Sequence, residues 1–216
     1  MTDLGGRGAR PRAVRPAGQT ADLPPGYPPE YVRLVTLRGG RSVLIRPIQP
    51  GDAPALAEAI ESADADTIGR RFLGGRPQVT PGLLDYLTTV DYTSRFVLVA
   101  VEPASQRGVA IARYEPAGQD GTAEVAIAVT PGWRDAGLAT ELLRMLARAA
   151  TERGIHTFTG TYLAGNRPVT ALINEADGPA SQVTSRGIAE FSVPLAPGSR
   201  APGPDHQASP AGSGPG

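Results

Sequence analysis

Residues 129–143, VTPGWRDAGLATELL, join two different hydrophobic periodicities. Immediately before the turn, Val125, Ile127 and Val129 alternate with smaller residues, as in a strand with one apolar face. After the turn, apolar residues recur at helical spacing as far as residue 149, and Gly154 follows where glycine commonly ends a helix. The stretch therefore predicts a strand, a turn and a long helix.

The turn itself has the spacing R-x-x-G-x-A, formed by Arg134, Gly137 and Ala139. Gly137 and Ala139 keep side-chain bulk away from the first turn of the helix, whose unpaired N–H groups and partial positive charge attract anions. No lysine follows the glycine and G-x-G-x-x-G is absent, which argues against the usual nucleotide-binding loops. The pattern is therefore suited to the pyrophosphate of coenzyme A.

The spacing resembles the cofactor motif of the GNAT superfamily of N-acyltransferases, Q/R-x-x-G-x-G/A on a strand, turn and helix. Residues 129–134 supply a V-x-P-x-W-R lead-in, and residues 153–168 are similar to the family's fifth strand and to the asparagine, Asn166, that opens its next helix. Other stretches resemble the bacterial protein lysine acetyltransferase branch, namely 32–34, 37–40, 45–48, 51–53, 70–72, 87–92 and 109–114. The likeness covers residues 31–174, and we expect no room elsewhere in the chain for the partner domain that this branch often carries.

The resemblance implies a GNAT fold, a mixed and mostly antiparallel central sheet flanked by helices, with acetyl-CoA as co-substrate. The candidate cofactor-binding residues are Ile127, Val129, Arg134, Asp135, Ala136, Gly137, Leu138, Ala139, Thr140 and Asn166. The turn amides and Arg134 would hold the pyrophosphate, the main-chain groups of Ile127 and Val129 would pair with the pantetheine arm like an added strand, and Asn166 would hydrogen-bond the same arm. The alternatives are a solvated turn arginine for Arg134 and a plain helix N-cap for Asn166.

Glu124 is the candidate general base. A lysine amine is neutral only about one time in a thousand at pH 7.5, so a carboxylate that removes its proton speeds acyl transfer by ~10²–10⁴. Glu124 points away from the Val125 face and shares its own face with Ala126 and Ala128, whose small side chains leave room for a substrate. The resemblance puts the branch's strand glutamate at this position. The alternative is a glutamate near a strand end that faces water.

Three positions depart from the family pattern. Ala136 replaces the usual glycine, Ile173 replaces the tyrosine that serves many members as general acid, and residues 175–179 replace a Gly-Phe step. Tyr162, Tyr114 and a bound water stay open as substitutes for that acid.

Composition narrows the function classes. The 216 residues carry no net charge and no cysteine, so neither nucleic-acid binding nor a disulfide or zinc–thiolate site is favoured. There is no apolar run of membrane-spanning length and no metal-ligand spacing, so we expect a cytoplasmic protein with no membrane partner and no metal. All 21 basic residues are arginine, which indicates compositional bias.

The pattern along the chain predicts one domain, residues 31–196, between a disordered arm at 1–30 and a disordered tail at 197–216. The predicted strands are 31–37, 41–47, 96–101, 108–114, 121–129 and 156–163, with one or two closing strands in 182–194. The predicted helices are 54–62 (capped by Asp52), 65–73 (a helix or a turn), 81–89, 136–153 and 167–174.

These residues predict an acetyl-CoA-dependent N-acetyltransferase whose acceptor, by resemblance, is a protein lysine. Two alternatives stay open, a small-molecule amine acetyltransferase and a non-catalytic acyl-CoA-binding protein. The sequence leaves the acceptor, the acyl chain and the oligomeric state undetermined.

Overall fold

A computed structural model describes residues 23–63, 78–174 and 179–195. It contains one eight-stranded sheet of order β1-β2-β3-β4-β5-β6-β8-β7, antiparallel except between β5 and β6. The strands are β1 Arg33–Thr36, β2 Ser42–Pro47, β3 Phe96–Val101, β4 Gly108–Pro116, β5 Thr122–Val129, β6 Thr157–Leu163, β7 Ser181–Ser185 and β8 Ile188–Pro194. The described helices are α1 Ala53–Ser62, α2 Pro81–Thr88, α3 Leu138–Thr151 and α4 Arg167–Asn174. The predicted mixed, mostly antiparallel α/β sheet is confirmed.

Helices cover both faces of the middle of this sheet. The apolar stripe of α3 packs on one face of β3, β4 and β5, in a cluster that includes Leu98, Ala112 and Leu142. On the other face a second cluster joins Val97 and Val99 of β3 to Leu56 of α1. Since β3 is covered on both sides, all of its residues are buried and it reads as an unbroken apolar run.

The long helix begins two residues later than predicted. Gly137 stands at its N-cap with φ +85°, a left-handed conformation that glycine adopts at little cost. Asp135, with φ +61°, and Ala136 therefore lie in the turn before the helix. At the other end Gly154 has φ +78° and Ile155 N–H donates to the Ala150 carbonyl, as the C-cap glycine predicted.

Asp52 precedes α1, but the prediction that its side chain caps that helix is wrong. Its carboxylate accepts hydrogen bonds from the main-chain N–H of Gln49 and from both terminal nitrogens of Arg46. The charged partner on β2 out-competes the helix N–H groups for the same oxygens. The helix or turn predicted at 65–73 lies outside the described residues.

Some residues of the predicted arm, 1–30, make contacts with the folded domain. Pro28 is buried, and the Tyr27 ring meets the Tyr92 ring edge to face with centroids 5.6 Å apart. Residues 1–22 and the predicted tail at 197–216 lie outside the described part. None of the described helices is long and apolar enough to cross a membrane.

Candidate active site

The parallel strands β5 and β6 separate partway along their length. They pair at Thr122 with Thr157, Ala123 with Phe158 and Glu124 with Thr159. After Glu124, the described part of the chain pairs β5 only with β4, and β6 only with β8. A wedge-shaped slot therefore opens between two strand edges at the carboxyl end of β5.

The main chain of Ile127 and Val129 faces this slot. The Thr130 N–H donates to Val109 of β4, so Thr130 points its backbone groups toward β4. Backbone groups alternate in direction along a strand, so those of Val129 and Ile127 point the opposite way, toward β6. This orientation fits the predicted pairing of Ile127 and Val129 with an extended cofactor arm.

Gly160 marks the point of separation on β6, and the sequence analysis overlooked it. A Cβ at Gly160 would lie 2.8 Å from Cε1 of Phe191 and 3.1 Å from the Val125 carbonyl oxygen. Phe191 is its partner on β8, so the aromatic ring occupies the space that the glycine leaves open. The only sequence signal was a glycine inside a strand, which indicates a close approach of this kind.

The start of α3 lies beside the mouth of the slot. Gly137 contributes no side-chain hydrogen bond, and the N–H groups of Leu138, Ala139 and Thr140 are too early in the helix to have intrahelical acceptors. Leu138 is buried and fixes the helix to the sheet. The residues predicted to bind the pyrophosphate, 134–140, therefore come together around an N-terminus that favours an anion, and they are called the cradle below.

Arg134 bridges the strand end and the helix start. Its Nε donates to the Val129 carbonyl at 3.2 Å. This bond holds the guanidinium at the carboxyl end of β5, and it occupies one acceptor site of the carbonyl predicted to pair with the cofactor arm. Asn166 is buried beside Leu163, whose carbonyl accepts its main-chain N–H.

The turn between β1 and β2 rests on this cradle, which the sequence did not reveal. The Arg38 N–H donates to the Ala136 carbonyl at 3.2 Å. Arg41 donates to the Gly132 carbonyl at 2.7 Å, and its guanidinium lies 4.0 Å from the centroid of the Trp133 ring. The turn thereby adds two arginines to the surroundings of the α3 N-terminus.

Glu124 occupies the last paired position before the strands separate, and its side chain is exposed. It lines a cleft of about 370 Å³ on the sheet surface. The other lining residues are Thr159, Gly160, Thr161, Ser181, Val183, Glu190, Phe191 and Ser192. Apart from Val183, Gly160 and Phe191 the lining is acidic or hydroxylic, which suits a cationic or amine-bearing acceptor.

Glu124 differs from the carboxylate directly across the ladder, Glu115. Arg113 binds Glu115 through both terminal nitrogens at 3.0 Å, and the Tyr86 hydroxyl donates to it at 2.7 Å. Within the described residues Glu124 has neither an ion pair nor a side-chain hydrogen bond. Its carboxylate is thus able to accept a proton from an incoming amine.

Neither tyrosine considered as a general acid has an unengaged hydroxyl. Tyr114 donates to the Thr93 carbonyl at 3.0 Å, and burial raises the pKa of Tyr114 above its ordinary value. Tyr162 donates to Gln182 at 2.7 Å. Ile173, in the position of the expected tyrosine, is buried against Tyr162. Among the described residues no group of three or more His, Asp or Glu side chains could hold a metal ion.

Comparison with known proteins identifies the family. The sequence model of the acetyltransferase (GNAT) domain family matches residues 42–177. Acetyltransferase PA5475 of Pseudomonas aeruginosa is 32% identical over 139 residues, which are 63% of this chain and 75% of that protein. Acetyltransferase Pat of Mycolicibacterium smegmatis is 31% identical over 141 residues, 65% of this chain but 42% of that protein, so the chain spans less than half of Pat.

Among solved structures, the GNAT domain of S. lividans PAT matches with a TM-score of 0.70 at 27% identity, over 78% of this chain and 99% of that one. These matches confirm the predicted family and fold, and they agree with the predicted branch.

Proposed function

Because the chain belongs to the GNAT acetyltransferase domain family, we propose that it transfers an acetyl group from acetyl-CoA to an amine, the ε-amine of a protein lysine. The observation that carries the proposal is the position of Glu124. Its carboxylate stands where β5 and β6 separate, with the slot on one side and the polar cleft on the other. One carboxylate can therefore serve an amine in the cleft that reacts with a thioester in the slot.

The slot and the cradle bind different parts of the co-substrate, the pantetheine arm and the diphosphate respectively. The first amides of α3, from Leu138 to Thr140, and the guanidinium of Arg134 hold the diphosphate. The outward-facing main chain of Ile127 and Val129 pairs with the pantetheine arm, and Asn166 contacts the same arm. Acetyl-CoA supplies an activated thioester, and this chain supplies its position.

The acceptor amine arrives as an ammonium ion. Glu124 accepts one proton from it, directly or through a water molecule, and leaves a neutral nitrogen. That nitrogen attacks the thioester carbon in a ternary complex, and the C–S bond breaks. The nitrogen gives up its second proton as the amide forms, and the leaving thiolate of coenzyme A takes up one proton, so the transfer balances. The protein lysine as acceptor rests on the resemblance to the lysine acetyltransferase branch and on the acidic, hydroxylic cleft.

Two observations support competing functions. The cleft is large enough for a small amine, which supports a small-molecule acetyltransferase. The apolar Ile173 in place of a tyrosine acid supports a protein that binds acyl-CoA without transferring the acyl group.

The absence of lysine from the chain removes the background of self-acetylation on lysine from the decisive experiment. The full chain offers no ε-amine, so self-acetylation is limited to its α-amino group. We expect incubation with labelled acetyl-CoA, and an extract depleted of other acetyltransferases, to label lysines on one or a few proteins. The Glu124→Gln chain should not label them, which separates catalysis from spontaneous acetylation.

Other outcomes identify the competing functions. Release of free coenzyme A with small amines, and no labelled protein, would establish the small-molecule function instead. Binding of acetyl-CoA without either reaction would establish a binding protein.

A further inference from the structure

The Arg38 side chain lies over the N-cap of α3. If Gly137 carried a Cβ, that atom would lie 3.4 Å from Nε and 3.7 Å from Nη2 of Arg38. The guanidinium therefore lies where a side chain at position 137 would touch it, beside the residue that opens the helix. The Arg38 main chain is anchored separately, through its N–H bond to the Ala136 carbonyl.

This is an unfavourable place for a cation. The N-terminus of a helix carries a partial positive charge, which repels a guanidinium and attracts an anion. In the described ranges no carboxylate pairs with Arg38, and its side chain makes no hydrogen bond. The Arg134 guanidinium belongs to the turn before α3, in which Asp135 is the next residue. Arg38 itself therefore has no anionic partner among the described residues, and a bound anion would supply one.

We propose that Arg38 is a cofactor-binding residue that contacts the diphosphate of acyl-CoA from the β1–β2 turn, opposite the amides of α3. The proposal rests on the proposed acetyl-CoA site and extends it. The diphosphate is held between two elements that are far apart in sequence, the helix start on one side and the turn on the other. Charge-assisted bonds from a planar guanidinium suit diphosphate oxygens.

Calorimetric titration of the full chain with acetyl-CoA tests this proposal. Arg38→Ala should raise the dissociation constant about tenfold, because a charge-assisted contact is lost. The main-chain bond to Ala136 does not depend on the side chain, so the turn should stay in place. Arg38→Gln, which is polar and uncharged, is the second variant and should show the same loss.

Arg33→Ala is the matched control. Arg33 is an exposed arginine at the other end of β1, so its removal changes the net charge equally, and we expect no change in affinity. The dependence of affinity on salt concentration should be weaker in Arg38→Ala than in Arg33→Ala, since one phosphate contact is missing.

The outcomes are distinct. If the unaltered chain does not bind acetyl-CoA, the proposed function and this inference both fail. If it binds and Arg38→Ala behaves like Arg33→Ala, the inference is overturned and the proposed function stands. Titration with 3′-dephospho-acetyl-CoA locates the contact: the tenfold loss should persist there. Its disappearance would assign Arg38 to the 3′-phosphate and overturn the assignment to the diphosphate.

Discussion

The two sides of the β5–β6 separation are built very differently. On the side of β1 to β5, α3 and the strands share one large apolar cluster, and β3 is buried along its whole length. On the side of β6, β8 and β7, the described residues form a smaller buried cluster of Tyr162, Ile173, Ala189 and Val193, and β7 is exposed throughout. The two sides share a ladder of three residue pairs.

This difference separates two tasks. Apart from Asn166, the candidate cofactor residues lie on the thickly packed side, where a fixed geometry suits a large ligand. The cleft draws most of its lining from the thinly packed side, whose surface adapts more readily to an acceptor. Glu124 belongs to the last residue pair between β5 and β6. Its backbone is therefore part of the thickly packed side, while its side chain lines the cleft of the thinly packed side. Cofactor affinity and acceptor chemistry should therefore respond to different substitutions.

Glu124→Gln should show the largest effect. We expect turnover near neutral pH to fall ~10²-fold or more, with the affinity for acetyl-CoA nearly unchanged, because the lost group acts on the acceptor amine. The residual rate should rise with pH as the free amine accumulates. A pH–rate profile and a calorimetric titration of the same sample measure both quantities.

Glu190→Gln is the control for that variant. It removes the same charge from the same cleft but from β8, so it should change turnover by only a few-fold through acceptor binding. Equal losses in the two variants would mean that the cleft's charge matters and that neither carboxylate is the base.

Gly160→Ala tests how tightly the two sides are joined. The added methyl would lie 2.8 Å from the Phe191 ring, so the ring or β8 must shift. We expect unfolding free energy to fall by about 1–3 kcal/mol, the usual cost of overpacking, in urea denaturation. Gly108→Ala is the control in β4, because nothing lies within 4 Å of its new atom, and it should stay within about 0.5 kcal/mol. Equal stability of the two variants would show that Phe191 and β8 move to accommodate the methyl group without a measurable free-energy cost.

Shortening the chain should have the smallest effect on stability. The point at which the melting temperature begins to fall shows which N-terminal residue first contributes to the thickly packed side. We propose that residues 1–22 and 196–216 add nothing to the fold, so a chain of residues 23–195 should keep the melting temperature of the full chain. A chain that starts at residue 31 loses the Tyr27–Tyr92 ring contact, worth about 1 kcal/mol, and should melt a few degrees lower. A drop already in the 23–195 chain would show that an end packs on the fold.

Local patterns predicted most of the elements because each depends on neighbours in sequence. α4 matches its predicted bounds, residues 167–174, and the closing hairpin turns at Gly187, which has φ +81°. The start of α3 was predicted two residues early, because Ala136 suits a helix and only the left-handed Gly137 shows where the helix begins. Asp52 was misassigned because Arg46, its actual partner, lies on another element.

The sequence by itself determined the family, the strand–turn–helix of the cradle and the face on which Glu124 lies, because all three follow from short-range spacing and alternation. The tertiary structure alone decided where β5 and β6 separate and why position 160 needs glycine. It also decided that Glu124 has no ion pair among the described residues while Glu115 is paired with Arg113, and that Arg38 lies beside the start of α3. Each of these depends on distances between residues remote in the chain. Such distances are set by the packing of strands and helices, which no local pattern records.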